Sequence, residues 1–311
     1  MKEREKHVWT WPIAGYLFLG GLGSGISIVV AVTDLFFGAG DTLSCGLLVA
    51  ALSLGIGSFL LIFELGRPIQ FWRVFSKQKA VLTFGAWAVS LLLVLDVVYF
   101  SCFIDWFPWQ GITAIRMVLA AIGLVIGCGV LMYTGVELAS MKGRLLWNTP
   151  ILPVLFSISG LLTGLATNLV VIGLWPYAGD SEAAVTVAVL LKALCIGFVV
   201  LTLVVLLIYV LMIYSSAYQA SRVAMKRWLS GSYSLSFWGG LVSLGLVIPL
   251  VLLSIGTEVM DIVACVLIAI GGGFLRFLVV YSDDRQLLPG ENSYWKHLPK
   301  GTEPFIYRNW G

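Results

Sequence analysis

Eight stretches of this chain are long and apolar enough to cross a membrane, and that fact governs everything else about it. A helix spanning the hydrocarbon core needs about 20 predominantly apolar residues. Such runs fall at roughly 12–37, 43–66, 80–104, 113–139, 151–174, 185–214, 235–256 and 259–281. Charged residues make up only 11% of the 311, against 59% hydrophobic, whereas a soluble domain carries about 25% charge. Soluble enzymes and nucleic-acid binders are thereby excluded. The expected fold class is an all-α integral membrane protein with eight transmembrane helices. The first run is too long for a signal-peptide core and no small-residue cleavage site follows it, so it is read as a retained helix. The sixth is long enough to include an interfacial stretch. A tight hairpin at Gly256-Thr257-Glu258 joins the last two.

Eight crossings return both termini to one face of the membrane. That terminal face carries 16 of the 19 basic residues, among them Arg67, Arg73, Lys77, Lys79, Lys142, Arg144, Arg222, Lys226 and Arg227. The far face carries Asp34, Asp41, Asp105, Asp180, Glu182, Glu258 and Asp261, with Arg116 against the trend. The positive-inside rule therefore puts the termini in the cytoplasm and the protein in the cytoplasmic (inner) membrane as a multi-pass protein. The polar stretch 282–311 is read as a tail rather than a span.

The metal-binding inventory is poor. His7 and His297 lie near the termini, outside the apolar runs. Cys45, Cys102, Cys128, Cys195 and Cys265 are widely spaced, and no C-x-x-C occurs. Neither a haem, nor an iron–sulfur cluster, nor a metal is expected in this chain.

An internal repeat organises the spans. Pro12-Ile13, Leu17-Phe18, Gly21 and Gly25 in the first run recur as Pro150-Ile151, Leu155-Phe156, Gly160 and Gly164 in the fifth. The offset covers four helices, an even number, so the halves share one orientation. The reading is two four-helix bundles as parallel repeats: 1–140, which would hold the ligand site, and 141–281. The G-x3-G pairs suit close helix approach.

Ionisable and phenolic groups at membrane depth are functional candidates by default. Tyr16, Glu64, Arg67, Tyr133 and Glu137 all fall within about 10 Å of the terminal face, counting 1.5 Å per residue. Tyr133 and Glu137 are four residues apart and share a helix face. Two phenols, two carboxylates and a guanidinium at one depth suit a quinone head group, whose carbonyl oxygens accept hydrogen bonds and whose redox chemistry moves protons. The competing use is interfacial anchoring. Asp96 and Lys192 lie deeper and are candidates for a proton path from the far face, the alternative being structural ion pairs. Asn168 reads as an interhelical hydrogen bond. No residue is assigned a catalytic role in bond chemistry. The loops with Arg73, Lys77, Lys79, Lys142 and Arg144 form a basic docking surface, extended by 222–227.

Several motifs together resemble the NrfD/polysulfide reductase membrane subunits. They are Trp11-Pro12-Ile13-Ala14-Gly15-Tyr16-Leu17-Phe18-Leu19-Gly20-Gly21, Glu64-Leu65-Gly66-Arg67-Pro68 with Phe71-Trp72, Tyr133-Thr134-Gly135, and Asn148-Thr149-Pro150-Ile151-Leu152-Pro153-Val154-Leu155-Phe156 with Ser159-Gly160. Over the last three spans the resemblance rests on topology and on Gly271-Gly272-Gly273 to Arg276. It implies two bundles, no haem, and an exchangeable quinone (menaquinone or another) held in the first bundle. It also implies a four-cluster iron–sulfur partner linked to a molybdenum or tungsten pterin catalytic subunit. This protein would be their quinone-reactive membrane anchor. Tyr133 matches the family's Tyr late in the fourth helix. The family's Asn and His early in the first helix are replaced by Ile13 and Tyr16. The family's site faces the periplasm, whereas the basic loops here favour the cytoplasm. The competing function is a secondary transporter with parallel repeats.

Overall fold

The computed structural model describes residues 11–64, 81–141, 144, 146–174, 182–216 and 219–282. The described residues are almost wholly helical. The helices are α1 (Trp11–Phe37), α2 (Gly40–Glu64), α3 (Val81–Ser101), α4 (Thr113–Ala139), α5 (Ile151–Leu174), α6 (Glu182–Tyr214) and α7 (Gln219–Ser230). A π-helical stretch, Leu235–Val247, then runs directly into α8 (Ile248–Ile255), and α9 (Glu258–Tyr281) follows. Eight spans emerge, the seventh combining the π-helical stretch with α8. Their apolar outer faces, with Phe59, Trp87, Leu91, Val125 and Val189 exposed, are what a lipid solvent requires of a helix whose backbone is already satisfied internally.

The short helix α7 falls where the sequence reads as a polar joint. Its buried side is Ser221, Ala224, Met225 and Trp228, an i, i+3, i+4, i+7 set, while Arg222 and Lys226 stay exposed. That is the pattern of a helix packed on one face only. Its small apolar stripe is masked in the sequence by neighbouring charges. The expected hairpin is present: Gly256 takes φ 88° at the end of α8, a left-handed turn that glycine adopts without a Cβ penalty.

Helix α1 is the most buried span. It packs on α2, α4, α5 and α9, and α5 packs on α1, α4, α6 and α9. The two copies of the repeated G-x3-G motif meet each other at the α1/α5 crossing. A Cβ on Gly25 would lie 2.3 Å from the Gly160 carbonyl oxygen, and one on Gly164 would lie 2.3 Å from the Gly25 carbonyl carbon. Backbones this close tolerate no side chain. Asn168 Nδ2 donates to the Ile26 carbonyl across the same interface at 3.4 Å, and to Gly164 at 3.0 Å.

Candidate functional site

The terminal-face end of α1, α3 and α4 gathers three of the five expected quinone ligands. Tyr16 comes from α1, and Tyr133 and Glu137 from adjacent turns of α4; all three side chains are buried. The Tyr133 hydroxyl reaches toward both the Tyr16 phenol and the Glu137 carboxylate. These contacts stop short of full hydrogen-bond geometry, and the buried Tyr133 hydroxyl and Glu137 Oε2 have no other partner. Buried polar atoms are nearly always satisfied, so each orphan needs a reason. Here two orphans from one helix face sit side by side, a donor and an acceptor.

The position of Tyr133 depends on glycines around it. On one side, a Cβ on Gly85 of α3 would fall 1.8 Å from Tyr133 Cζ and just over 2 Å from both Cε atoms. The phenol ring thus rests directly on the α3 backbone. On the other side, Gly135 lets α4 touch α5, where a Cβ would meet Pro153 Cα at 2.4 Å. Gly85→Ala is therefore expected to displace the Tyr133 ring. Its effect on turnover should approach that of removing the hydroxyl, while the amount of folded protein stays near wild type. Combining it with Tyr133→Phe should add little. Additive losses in that double-mutant cycle would separate Gly85 from Tyr133.

Other expected site residues fare differently. Glu64 is the last residue of α2, but its side chain lies outside the described set, as do Arg67, Arg73, Lys77, Lys79 and Lys142. Arg144 is described: its guanidinium stacks 4.4 Å from the Trp147 ring, whose indole N–H donates to the Val279 carbonyl at 2.7 Å. Arg144 is thus tied to the core through Trp147. Asp96 and Lys192 are not brought together. Asp96 accepts a 2.7 Å hydrogen bond from Ser27 Oγ inside the first four helices. Lys192 pairs with Asp261 at 2.8 Å, between α6 and α9.

Sequence reading missed one cluster. Asp34, fully buried, accepts from the Tyr99 hydroxyl at 2.6 Å and pairs with Arg116 Nε at 3.2 Å, while Arg116 Nη1 reaches Asp41 at 3.6 Å. The signal was available: Arg116 is the one basic residue among far-face acids, and a carboxylate near the end of an apolar run calls for a partner.

Known proteins resemble this chain along most of its length. The family described as "Polysulphide reductase, NrfD" matches residues 1–284. The C subunit of polysulfide reductase from Wolinella succinogenes is 32% identical over 79% of this chain and 82% of its own length. Protein NrfD of Escherichia coli is 26% identical over 89% of this chain and 95% of its own. A NrfD homolog of Haemophilus influenzae is 27% identical over 78% and 82%. On the match across the spans and the identity to the polysulfide reductase subunit, this multi-pass protein belongs to the NrfD/polysulfide reductase membrane-subunit family.

Proposed function

We propose that this protein is the membrane anchor of a multisubunit oxidoreductase. It binds quinol and quinone at Tyr16, Tyr133 and Glu137, and exchanges electrons with an iron–sulfur subunit of a molybdenum or tungsten pterin enzyme. The observation that carries the reading is the buried donor–acceptor pair at Tyr133 and Glu137, neither completing a full hydrogen bond, with the Tyr16 phenol beside Tyr133. That pair fits a head group with carbonyl or hydroxyl oxygens. A phenol donates to a carbonyl oxygen, and a carboxylate accepts from a hydroxyl. When bound, a quinone supplies two-electron, two-proton exchange with the partner's cluster.

The residues of this protein divide that work. Tyr133, pinned on Gly85, orients an oxygen of the ligand through its O–H. Tyr16 closes the pocket from α1 as a second donor. Glu137, through Oε2, holds or passes a proton at the terminal-face end as a buried general base. Glu64 and Arg67 stay in the proposed set on their position in the sequence, at and just beyond the last turn of α2. The two-bundle division at 1–140 and 141–281 is supported by packing that runs α1–α2–α3–α4–α1 and α5–α6–α8–α9–α5. The basic terminal face, placed in the cytoplasm by its charge, offers docking to an acidic iron–sulfur partner through Arg73, Lys77, Lys79, Lys142 and Arg144. The similarity to a protein named for a polysulfide reductase supports a reductase complex of this kind. A transporter would need ionisable pairs at the midplane. The described pairs, Asp34–Arg116 and Lys192–Asp261, cluster toward the far-face ends of their helices.

The test is co-purification. A tagged protein extracted in mild detergent should bring down an iron–sulfur protein and a molybdenum- or tungsten-containing subunit, identified by mass spectrometry and metal analysis. A protein that purifies alone, with neither iron nor quinone, contradicts the anchor reading and favours a transporter.

A further inference from the structure

Arg276 on α9 is fully buried, and no carboxylate faces it among the described residues. Its Nη1 donates to Ser159 Oγ at 2.6 Å and to the Gly272 carbonyl at 3.1 Å; its Nη2 donates to the Phe156 carbonyl at 3.2 Å. Nε has no partner. The guanidinium carbon lies 5.0 Å from the Phe156 ring centroid and 6.0 Å from that of Phe18. Helix α1 makes room for it at Gly21, where a Cβ would meet Nη2 at 3.0 Å. Neutral dipoles and ring faces thus solvate the cation without cancelling its charge. Holding a cation at membrane depth with no facing carboxylate among the described residues is costly, which makes the group a functional candidate.

The neighbouring surface of the same α1 segment faces the quinone pocket. Gly20, beside Gly21, packs against Thr134, the residue after Tyr133. Tyr16 is five positions before Gly21, about 7.5 Å along the axis. The guanidinium and the pocket therefore flank one helix, about 12 Å apart once the width of a helix with its side chains and the axial offset are combined. At that range, with an effective dielectric near 20, a unit charge changes the equilibrium of another charged group by roughly tenfold. Salt in the aqueous phase screens buried charges only weakly.

We propose that Arg276 is the fixed positive charge of the quinone pocket, acting across α1 to favour negative charge on the bound head group. This rests on the quinone reading above. Arg276 does not touch the ligand; it is a positioning residue acting through its field.

The test neutralises the charge without deleting the arginine. Ser159→Asp places a carboxylate at the existing 2.6 Å contact. Ser159→Asn is the same size and leaves the charge intact. Binding to the purified full complex is measured for two probes: an acidic 2-hydroxy-1,4-naphthoquinone, anionic at neutral pH, and its uncharged methyl ether. The ratio of affinity for the anionic over the neutral probe should fall about tenfold in Ser159→Asp, and in Arg276→Gln if that variant assembles. In Ser159→Asn it should stay within about twofold of wild type. An unchanged ratio in Ser159→Asp, or an equal fall in Ser159→Asn, overturns the proposal, since a purely structural role would affect both probes and both variants alike. Failure of the wild-type complex to bind either probe would instead count against the quinone pocket itself.

Discussion

Replacing Tyr133 by Phe should lower quinol-linked turnover about a hundredfold and leave dye-linked turnover by the proposed catalytic partner unchanged. The magnitude is at the low end for removal of a positioned proton donor or of a hydrogen bond made to developing charge. The substitution removes one oxygen from a ring held against the Gly85 backbone, so the fold has little reason to respond. Within the protein the hydroxyl makes no hydrogen bond of full geometry, only contacts with Tyr16 and Glu137, so the fold loses little by the substitution. The two assays on one membrane preparation separate the site from assembly. Equal quinol turnover in wild type and variant would move the head group away from α4.

The second large effect concerns stability. Gly164→Val should prevent accumulation of folded protein, or lower its unfolding free energy by at least about 3 kcal/mol, because overpacking here strikes backbone rather than a movable side chain. The internal control is Gly197→Val in α6, where a Cβ would meet nothing within 4 Å. Thermal unfolding in detergent, followed by size-exclusion chromatography, compares the two. Similar midpoints would mean that α1 and α5 do not cross at these glycines.

Much of this architecture is legible in the sequence because the bilayer simplifies the physics. A lipid-spanning segment must satisfy its own backbone, so an apolar run of sufficient length is a helix almost by necessity. The run read as 113–139 is α4 to the residue, and 151–174 is α5. Helix α7 escaped because a one-sided helix at the interface needs only four buried side chains, too few to stand out beside Arg222, Lys226 and Arg227. Depth counting placed Tyr16, Tyr133 and Glu137 at one level, and the i, i+4 spacing put the last two on one face. Depth counting cannot say which helices are neighbours. On depth alone Asp96 and Lys192 read as members of one path, yet they belong to separate hydrogen-bond systems. The same limit hid Gly85. Its role exists only because α3 happens to lie under the Tyr133 ring, and nothing in a Thr-Phe-Gly-Ala string announces that. Arg276 stands in the sequence as a charge close to the end of the last apolar run, but its burial among α1, α5 and α9 is a property of three-helix packing.

The proposed location of the quinone site is tested most directly by photolabelling. An azido-quinone with a short isoprenoid tail is bound to the purified complex, irradiated, and its adducts mapped by peptide mass spectrometry. A pocket between α1, α3 and α4 predicts labelling near Tyr16, Gly85 and Tyr133, competed by excess unlabelled quinone. Competed labelling confined to α5, α6, α8 or α9, or label that excess quinone does not displace, would contradict it.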